Sequence, residues 1–228
     1  MSSRIHVLLD KIDEHLDEVE EHYEADLASQ ELSDELVYAI GAVVQDCQRA
    51  LDWTASAVKR KYVPKRKWKP YFPLVQQPEQ FRPELRKQLG DLFEVAPEVA
   101  EAIRRHQPYR KGKVVLGYLH KLARVEKHED FTPQTRDVTR RVEARSAGGV
   151  VSWNPDAVTF RGPGVSIGGV PVDPRTQLPV PSPSQTVRET HFVDWRFIDP
   201  PVSVLPTLEE LARLTGAAVR DVRRKADL

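Results

Sequence analysis

Three basic side chains lie four residues apart along one stretch of the chain, at His120, Arg124 and His128. Residues at this spacing are neighbours on one face of a helix, so a helix here brings the three together. Histidine transfers protons near neutral pH, and arginine stabilises the charge that develops on a phosphate. The cluster therefore suits cleavage of a phosphodiester by an internal hydroxyl without a metal. A polar stripe that pairs with nearby acids such as Glu126 is the alternative interpretation of the same spacing.

Charge is unevenly distributed along the chain, although its 34 Lys and Arg residues balance its 34 Asp and Glu residues. Residues 10–35 carry twelve acids and one base, residues 59–69 carry seven bases and no acid, and residues 104–113 add five Lys or Arg. Bases interleaved with aromatic side chains suit a surface that contacts phosphates and stacks on nucleobases. The residues predicted to bind nucleic acid are Lys65, Arg66, Lys67, Trp68, Arg105, Tyr109 and Arg110. Acidic and basic segments that face each other, or that are simply solvated, are the alternative.

Several function classes find no support in the sequence. No apolar run reaches the roughly 18 residues of a membrane span, and the N-terminus carries too many acids for a signal peptide. The single cysteine, Cys47, cannot form an internal disulfide or build a zinc site alone. The glycine patterns that bind nucleotide phosphates and the nucleophile elbow of hydrolases are both missing. We therefore expect a cytoplasmic protein without membrane contact, metal site or cofactor.

Four main helices are predicted to position the basic cluster. Apolar residues in a heptad stripe predict a helix over residues 4–27, and Ser33 is a suitable N-cap for a second helix that Pro64 ends. Pro97 opens a third helix, and a fourth runs from Lys113 to about Glu129. A long connection separates the second helix from the third, with "YFPLV" extended across the bundle and a short helix near residues 83–94. Residues 1–133 are therefore predicted to form a bundle-like helical domain.

The sequence pattern changes after Phe131, where glycine and proline become frequent and the apolar period falls to two. Short strands are predicted at "DVTRRVEAR", "VVSW", "AVTFR" and "VSIGGVPV", and the longest at residues 187–198, which places a β-rich domain at residues 134–206. In "TLEE", Thr207 and Glu210 predict a capping box that opens a helix over residues 207–228, packed on the β-rich part. Helices followed by a small antiparallel sheet and a closing helix define the class α+β.

Four short motifs follow one another in the helical part, and together they resemble a family of uncharacterised bacterial proteins. They are Arg49-Ala50-Leu51-Asp52, Phe72-Pro73, Ile103 to Gln107-Pro108-Tyr109, and Leu119 and Leu122 with Lys127-His128. The match covers roughly residues 35–131. This part is in turn similar to HEPN domains, which are four-helix bundles found in bacterial toxins, defence systems and RNA-processing factors.

The resemblance implies a metal-independent ribonuclease of a defence or toxin type, with RNA as the partner and a site formed across a homodimer. Active HEPN domains usually have an Arg, four to six residues and then a His on the last helix, whereas only three residues separate Arg124 from His128. Carried over to this sequence, the catalytic residues are Arg124, Lys127 and His128, with His120 on the same face. A catalytically inactive module that binds RNA or a protein partner is the alternative function.

Two charged residues of the first motif have two interpretations. Arg49 and Asp52 lie on the side of the second helix away from most of its apolar stripe. They are predicted either to form a contact with the Lys127-His128 end of the fourth helix that fixes helix register, or to form a second face of the same pocket.

Overall fold

The computed structural model describes residues 3–64, 68–128, 134–155, 157–160 and 164–228. Its contacts divide the chain into two compact units, one of Met1–Gln134 with Arg196–Leu228 and one of Thr135–Trp195. Helix accounts for 55% and strand for 17% of the structure, and the strands follow the main helices and precede the last one. The α+β class is therefore confirmed.

The helical unit is built on two long helices, α1 (Ser3–Ser29) and α2 (Asp34–Tyr62), which pack against each other. The predicted N-cap is confirmed, because Ser33 Oγ accepts a hydrogen bond of 3.2 Å from the Leu36 N–H. Asp26 fixes the turn between the helices, since its Oδ2 accepts from the Ser33 N–H at 2.6 Å and from the Ser33 hydroxyl at 2.7 Å. This local capping explains why the α2 boundary could be read from the sequence.

Shorter helices follow a connection whose described residues have no regular secondary structure. They are α3 (Pro78–Leu89), α4 (Leu92–Val95), α5 (Pro97–Arg105), a 3-10 helix (Val114–Gly117) and α6 (Leu119–His128). Pro97 begins α5 as predicted, but the predicted short helix near residues 83–94 is two helices separated by Gly90 at φ 71°. The predicted fourth helix begins later than expected, because a 3-10 turn occupies Val114–Gly117.

The last helix, α7 (Val204–Ala226), corrects two predictions. It belongs to the helical unit, where it packs on α1, α2 and α5, rather than on the β-rich part. Its buried stripe includes Leu208, Leu211 and Leu214, which fill the core of that unit. The predicted capping box is also wrong: Ser203 is the N-cap and Thr207 lies buried inside the helix, because Pro206 is tolerated in a first helical turn.

The second unit is a small β structure. Its strands are β1 (Gln134–Ser146), β2 (Gly149–Trp153), β3 (Ser166–Ile167), β4 (Val170–Asp173), β5 (Leu178–Pro179) and β6 (Gln185–Phe197). Two three-stranded sheets have the orders β2-β1-β6 and β3-β4-β5, and β1 pairs antiparallel to β2 with Val142 opposite Trp153. The "AVTFR" strand is not observed, since residues 157–160 are described without strand structure.

Five buried side chains form the core of the second unit: Val142, Ala144, Trp153, Ile167 and Val172. Phe160 packs edge-on against Trp153, with ring centroids 5.7 Å apart. The unit thus has its own apolar core. No helix in the described part of the chain is long and apolar enough to cross a membrane.

Candidate nucleic-acid interface

The connection between α2 and α3 is held by side chains from α2, from α3 and from the loop that follows α5. Asp52 Oδ1 on α2 accepts a hydrogen bond of 2.8 Å from the Phe72 N–H. Gln88 on α3 accepts from the Tyr71 N–H at 3.0 Å. Gln107, two residues after the end of α5, accepts from the Val75 N–H at 3.1 Å and donates to the Pro73 carbonyl at 2.7 Å. The segment 71–75 therefore replaces regular secondary structure with side-chain partners for its backbone.

Three of the four short motifs defined in the sequence analysis meet at the segment 71–75. Asp52 comes from "RALD", Phe72 and Pro73 from "FP", and Gln107 from "QPY". Their contacts join these motifs into one buried scaffold, in which Phe72 and Gln107 are almost completely enclosed. The structure therefore gives Asp52 and Gln107 a role in folding.

Arg49, the other charged residue of "RALD", points to a different partner. It forms an ion pair with Asp46, one turn earlier on α2. His15 Nδ1 on α1 lies 3.4 Å from the other carboxylate oxygen of Asp46. The predicted contact of Arg49 and Asp52 with the end of α6 involves the side chains of Lys127 and His128, which lie outside the described residues.

The predicted catalytic residues all fall on α6. The helix is present over Leu119–His128, as the spacing required, but the side chains of Arg124, Lys127 and His128 lie outside the described residues. His120 is exposed. Desolvation by the surrounding protein lowers the pKa of His120, and the nearby carboxylates of Asp52 and Glu84 oppose this shift. Its predicted place beside Arg124 stays a prediction.

A basic groove lies on the helical unit, where the end of α5 and the following loop approach α7. It encloses about 1040 Å³. The residues that line it are Glu101, Arg104, Arg105, His106, Arg110, Lys111, Lys113, Ala217, Arg220, Asp221, Arg224 and Lys225. Eight of them are Lys or Arg and two are acids, so the groove has a strong positive potential in a protein whose net charge is zero.

Asp221 organises the floor of the basic groove. Its Oδ2 accepts hydrogen bonds from Arg105 Nη2 at 2.9 Å and from His106 Nε2 at 3.1 Å, while its Oδ1 accepts from Arg224 Nη2 at 2.8 Å. Burial alone would raise the pKa of Asp221, but these three hydrogen bonds lower it below its ordinary value. The ionised carboxylate therefore fixes α5 to α7 and orients two of the arginines.

His106 is the buried titratable group of the groove, with only 7% of its surface exposed. Burial lowers its pKa, and the nearby cations Lys113 and Arg105 act in the same direction, whereas Asp221 opposes them. The neutral ring therefore donates Nε2–H to Asp221, which leaves Nδ1 as the unprotonated nitrogen. That Nδ1 atom is buried and has no hydrogen-bond partner in the described part of the chain.

Other cations of the groove remain available for a ligand. Among the residues that the structure describes, Arg110, Lys111, Lys113 and Arg220 make no ion pair. A Cβ atom added to Gly216, in the interior of α7, would lie 3.0 Å from Arg220 Nη1. Glycine at this buried position therefore lets the Arg220 guanidinium lie against the helix.

An aromatic side chain borders the groove on the α3 side. Tyr109 is half-buried and lines a second cleft of about 450 Å³, together with Arg82 and three groove residues, Arg104, Arg110 and Lys111. The Arg110 guanidinium carbon lies 5.3 Å from the centre of the Tyr109 ring. The positive surface thus continues from the groove onto a residue that can stack on a nucleobase.

The predicted nucleic-acid residues have three outcomes. Arg105 and Arg110 line the groove and Tyr109 borders it, so the structure brings these three together. Trp68 is exposed outside the groove, and its carbonyl accepts a hydrogen bond from Lys59 Nζ. Lys65, Arg66 and Lys67 lie outside the described residues.

Sequence reasoning missed the α7 side of the groove. Arg220 and Arg224 are four residues apart, which places them on one helix face, and Lys225 is adjacent. The sequence shows this spacing, but the spacing alone does not predict that α5 is the neighbouring helix. Comparison of the chain with family models, curated proteins and solved structures found no match.

Proposed function

We propose that this chain is a cytoplasmic, HEPN-like RNA-binding protein that holds single-stranded RNA along the basic groove. The observation that carries the proposal is the excess of cations, eight against two carboxylates, in one open groove. Neutralisation of phosphates by Lys and Arg supplies most of the affinity of proteins that bind nucleic acid without sequence preference. The cations without ion pairs can contact phosphates without first breaking an internal salt bridge.

Tyr109 favours a single strand over a duplex as the ligand. Stacking on an aromatic ring requires an unpaired base, and Arg110 adds a planar cation beside that ring. The site is a charged groove with an aromatic residue at its edge. This arrangement is expected when cations bind along the phosphate backbone of a single strand and an aromatic ring stacks on its bases.

The binding experiment uses a labelled single-stranded RNA and fluorescence anisotropy at several salt concentrations. The variant Lys111→Gln/Arg220→Gln should bind on the order of tenfold more weakly, because two phosphate contacts are lost. Its plot of log affinity against log salt should be shallower by about 1.4, since each contact to a single strand contributes about 0.7.

Arg213→Gln is the matched control for the binding experiment. Arg213 is exposed on the same helix, pairs with Glu210 and does not line the groove. Its affinity for RNA and its salt dependence should equal those of the unmodified chain. Equal losses in the groove variant and in the control, or affinity that does not respond to salt, would contradict RNA binding by the groove.

We further propose that the protein cleaves RNA without a metal, in a defence or toxin setting. This proposal rests on the resemblance to HEPN domains. In that reading the α6 residues His120, Arg124, Lys127 and His128 carry the chemistry, and a homodimer completes the site. Labelled RNA incubated in EDTA with the unmodified chain, Arg124→Ala and His128→Ala tests it. Cleavage that both substitutions abolish supports a nuclease, whereas no cleavage by any of the three proteins excludes one.

A catalytically inactive interaction module is the second candidate function. It is favoured by the use of Asp52 and Gln107 in scaffold contacts, because these motif residues are then explained without chemistry. Such a module would bind a protein partner and leave RNA intact. RNA affinity that is lost in the groove variant, or turnover in EDTA, would count against it.

A further inference from the structure

Another cleft lies on the helical unit and shares no lining residue with the basic groove. We call it the tryptophan cleft. It is formed by the start of α1, the second half of α2, the connection after α2 and the end of α7, and it encloses about 580 Å³. Its lining residues are Arg4, Ile5, Trp53, Ser56, Ala57, Arg60, Lys69 and Arg223. This volume is within the usual range for small-molecule sites, about 300–1,000 Å³.

The charged residues that line the tryptophan cleft are all cationic. Four of its lining residues are Lys or Arg and none is an acid. In the part of the chain that the structure describes, none of these four side chains makes an ion pair. Burial and the positive charge of Arg60 both lower the pKa of Arg223, which shows that two like charges face the same space. An anion placed there would relieve this repulsion.

The other side of the cleft is apolar and aromatic. Trp53 keeps 39% of its surface exposed, whereas Ile5 and Ala57, which line the same cleft, are buried. The Ser56 hydroxyl is shielded from solvent and has no hydrogen-bond partner among the described residues. Trp53, Ser56 and Arg60 are spaced three and four residues apart, so one face of α2 presents a ring, a hydroxyl and a cation.

Contacts between α2 and α7 fix two walls of the cleft. Lys61 Nζ donates to the Ala226 carbonyl at 2.7 Å and to the Asp227 carbonyl at 2.9 Å. The Tyr62 hydroxyl donates to the same Ala226 carbonyl at 3.2 Å. These bonds satisfy carbonyl groups at the C-terminus of α7 and hold Arg60 near Arg223. The cleft is therefore formed before a ligand binds.

We propose that the tryptophan cleft binds a phosphate ester of a flat aromatic ring, such as a nucleoside monophosphate, with the ring on Trp53 and the phosphate among Arg60, Lys69 and Arg223. A stacking surface next to clustered cations matches both halves of such a ligand. A simple anion would leave Trp53 unused, and a neutral aromatic compound would leave the cations uncompensated. The proposal does not depend on RNA binding by the basic groove.

Isothermal titration calorimetry of the full chain tests the proposal with adenosine monophosphate, adenosine and inorganic phosphate as separate probes. The monophosphate should bind on the order of tenfold more tightly than either fragment, because only it fills both halves of the cleft. Trp53→Ala should weaken its binding on the order of tenfold through lost stacking. Arg60→Gln should weaken it to a similar extent through the lost charge-assisted contact.

Two exposed residues outside the cleft provide matched controls. Tyr38→Ala removes an exposed ring on α2 that lies fifteen residues from Trp53, or about 22 Å at 1.5 Å per residue. Lys87→Gln removes an exposed cation on α3. Both should bind the monophosphate as the unmodified chain does, and thermal melting verifies that all four variants are folded. No binding of the monophosphate, or equal affinities in Arg60→Gln and Lys87→Gln, overturns the proposal.

The ligand could be a free nucleotide or the phosphorylated end of a strand, and dinucleotides separate these sources. A free nucleotide as the ligand predicts equal affinity for adenosine monophosphate and a 5′-phosphorylated dinucleotide, whereas a strand end predicts tighter binding of the dinucleotide by about tenfold. Either result supports the cleft. Equal affinity for phosphorylated and unphosphorylated dinucleotides overturns it. Lys111→Gln/Arg220→Gln should leave monophosphate binding unchanged, so failure of the groove and failure of the cleft are distinguishable.

Discussion

Asp52 Oδ1 accepts a hydrogen bond of 2.8 Å from the backbone N–H of Phe72, twenty residues further along the chain. The same carboxylate accepts from Gln48 Nε2 at 3.0 Å through its other oxygen. Phe72 is buried, so its N–H has no access to water as an alternative partner. The carboxylate thus anchors a segment without regular structure to the middle of α2.

Asp52→Ala is expected to lower the free energy of unfolding by about 1–3 kcal/mol, the usual cost of leaving a buried donor unsatisfied. Chemical denaturation followed by circular dichroism measures this change. Asp10→Ala removes an exposed carboxylate from α1 and should change stability by less than about 0.5 kcal/mol. Equal stability of the two variants would show that the contact does not anchor the connection.

Helix ends near local signals could be predicted from the sequence, whereas the partners of helices could not. Ser33 and Pro97 mark boundaries because caps and prolines act within one helical turn. The apolar stripe of α7 was also predicted from the sequence, but such a stripe does not specify which surface of the protein covers it. The cap predicted at Thr207 was wrong, because the helix begins about one turn earlier, with Ser203 as its N-cap.

The position of α7 predicts that the second unit can be removed without unfolding the first. Replacing Thr135–Trp195 by a short Gly/Ser linker should leave a cooperative thermal transition with strong helical circular dichroism, because α1, α2, α5 and α7 form one core. A chain that ends at residue 202 should lose that transition, since Leu208, Leu211 and Leu214 no longer cover α2. Cooperative melting of the truncated chain would contradict the assignment of α7 to this core.

Only the α5 side of the candidate site could be predicted from the sequence, because the sequence does not show which helices pack together. Arg105, Tyr109 and Arg110 occur within six residues, so their proximity is local and was predicted. Asp221 and Arg220 reach them only through long-range packing of α7 on α5. Composition can therefore indicate a basic surface, but tertiary structure decides which cations are neutralised, as Arg105 is by Asp221.

His106 is expected to make the helical unit less stable in mild acid. Its pKa in the folded chain lies below the ordinary value of 6.5, so the unfolded chain takes up more protons as the pH falls below 6.5. The stability that neutral His106 supplies is complete above pH 6.5 and is lost as the pH falls through the lowered pKa.

His106→Gln tests this pH dependence, because a glutamine amide can still donate to Asp221 but does not titrate. The loss of melting temperature between pH 7 and pH 5 should be smaller in this variant than in the unmodified chain. His6→Gln, which changes an exposed histidine on α1, should retain the full loss. Parallel pH profiles for all three proteins would exclude a contribution from His106.

Cys47 is expected to resist alkylation as long as the helical unit is folded. The side chain is fully buried on α2, and this burial raises the pKa of its thiol to about 12, so the reactive thiolate is suppressed. At pH 8 the native chain should react with iodoacetamide more than about 100-fold more slowly than the chain unfolded in urea. Mass spectrometry gives a clear readout because the chain has one cysteine.

Tyr38→Cys, which adds a thiol at an exposed site of the same helix, should be alkylated once in the native state. Rapid native alkylation of Cys47 itself would mean that α2 and α7 separate often enough to expose it.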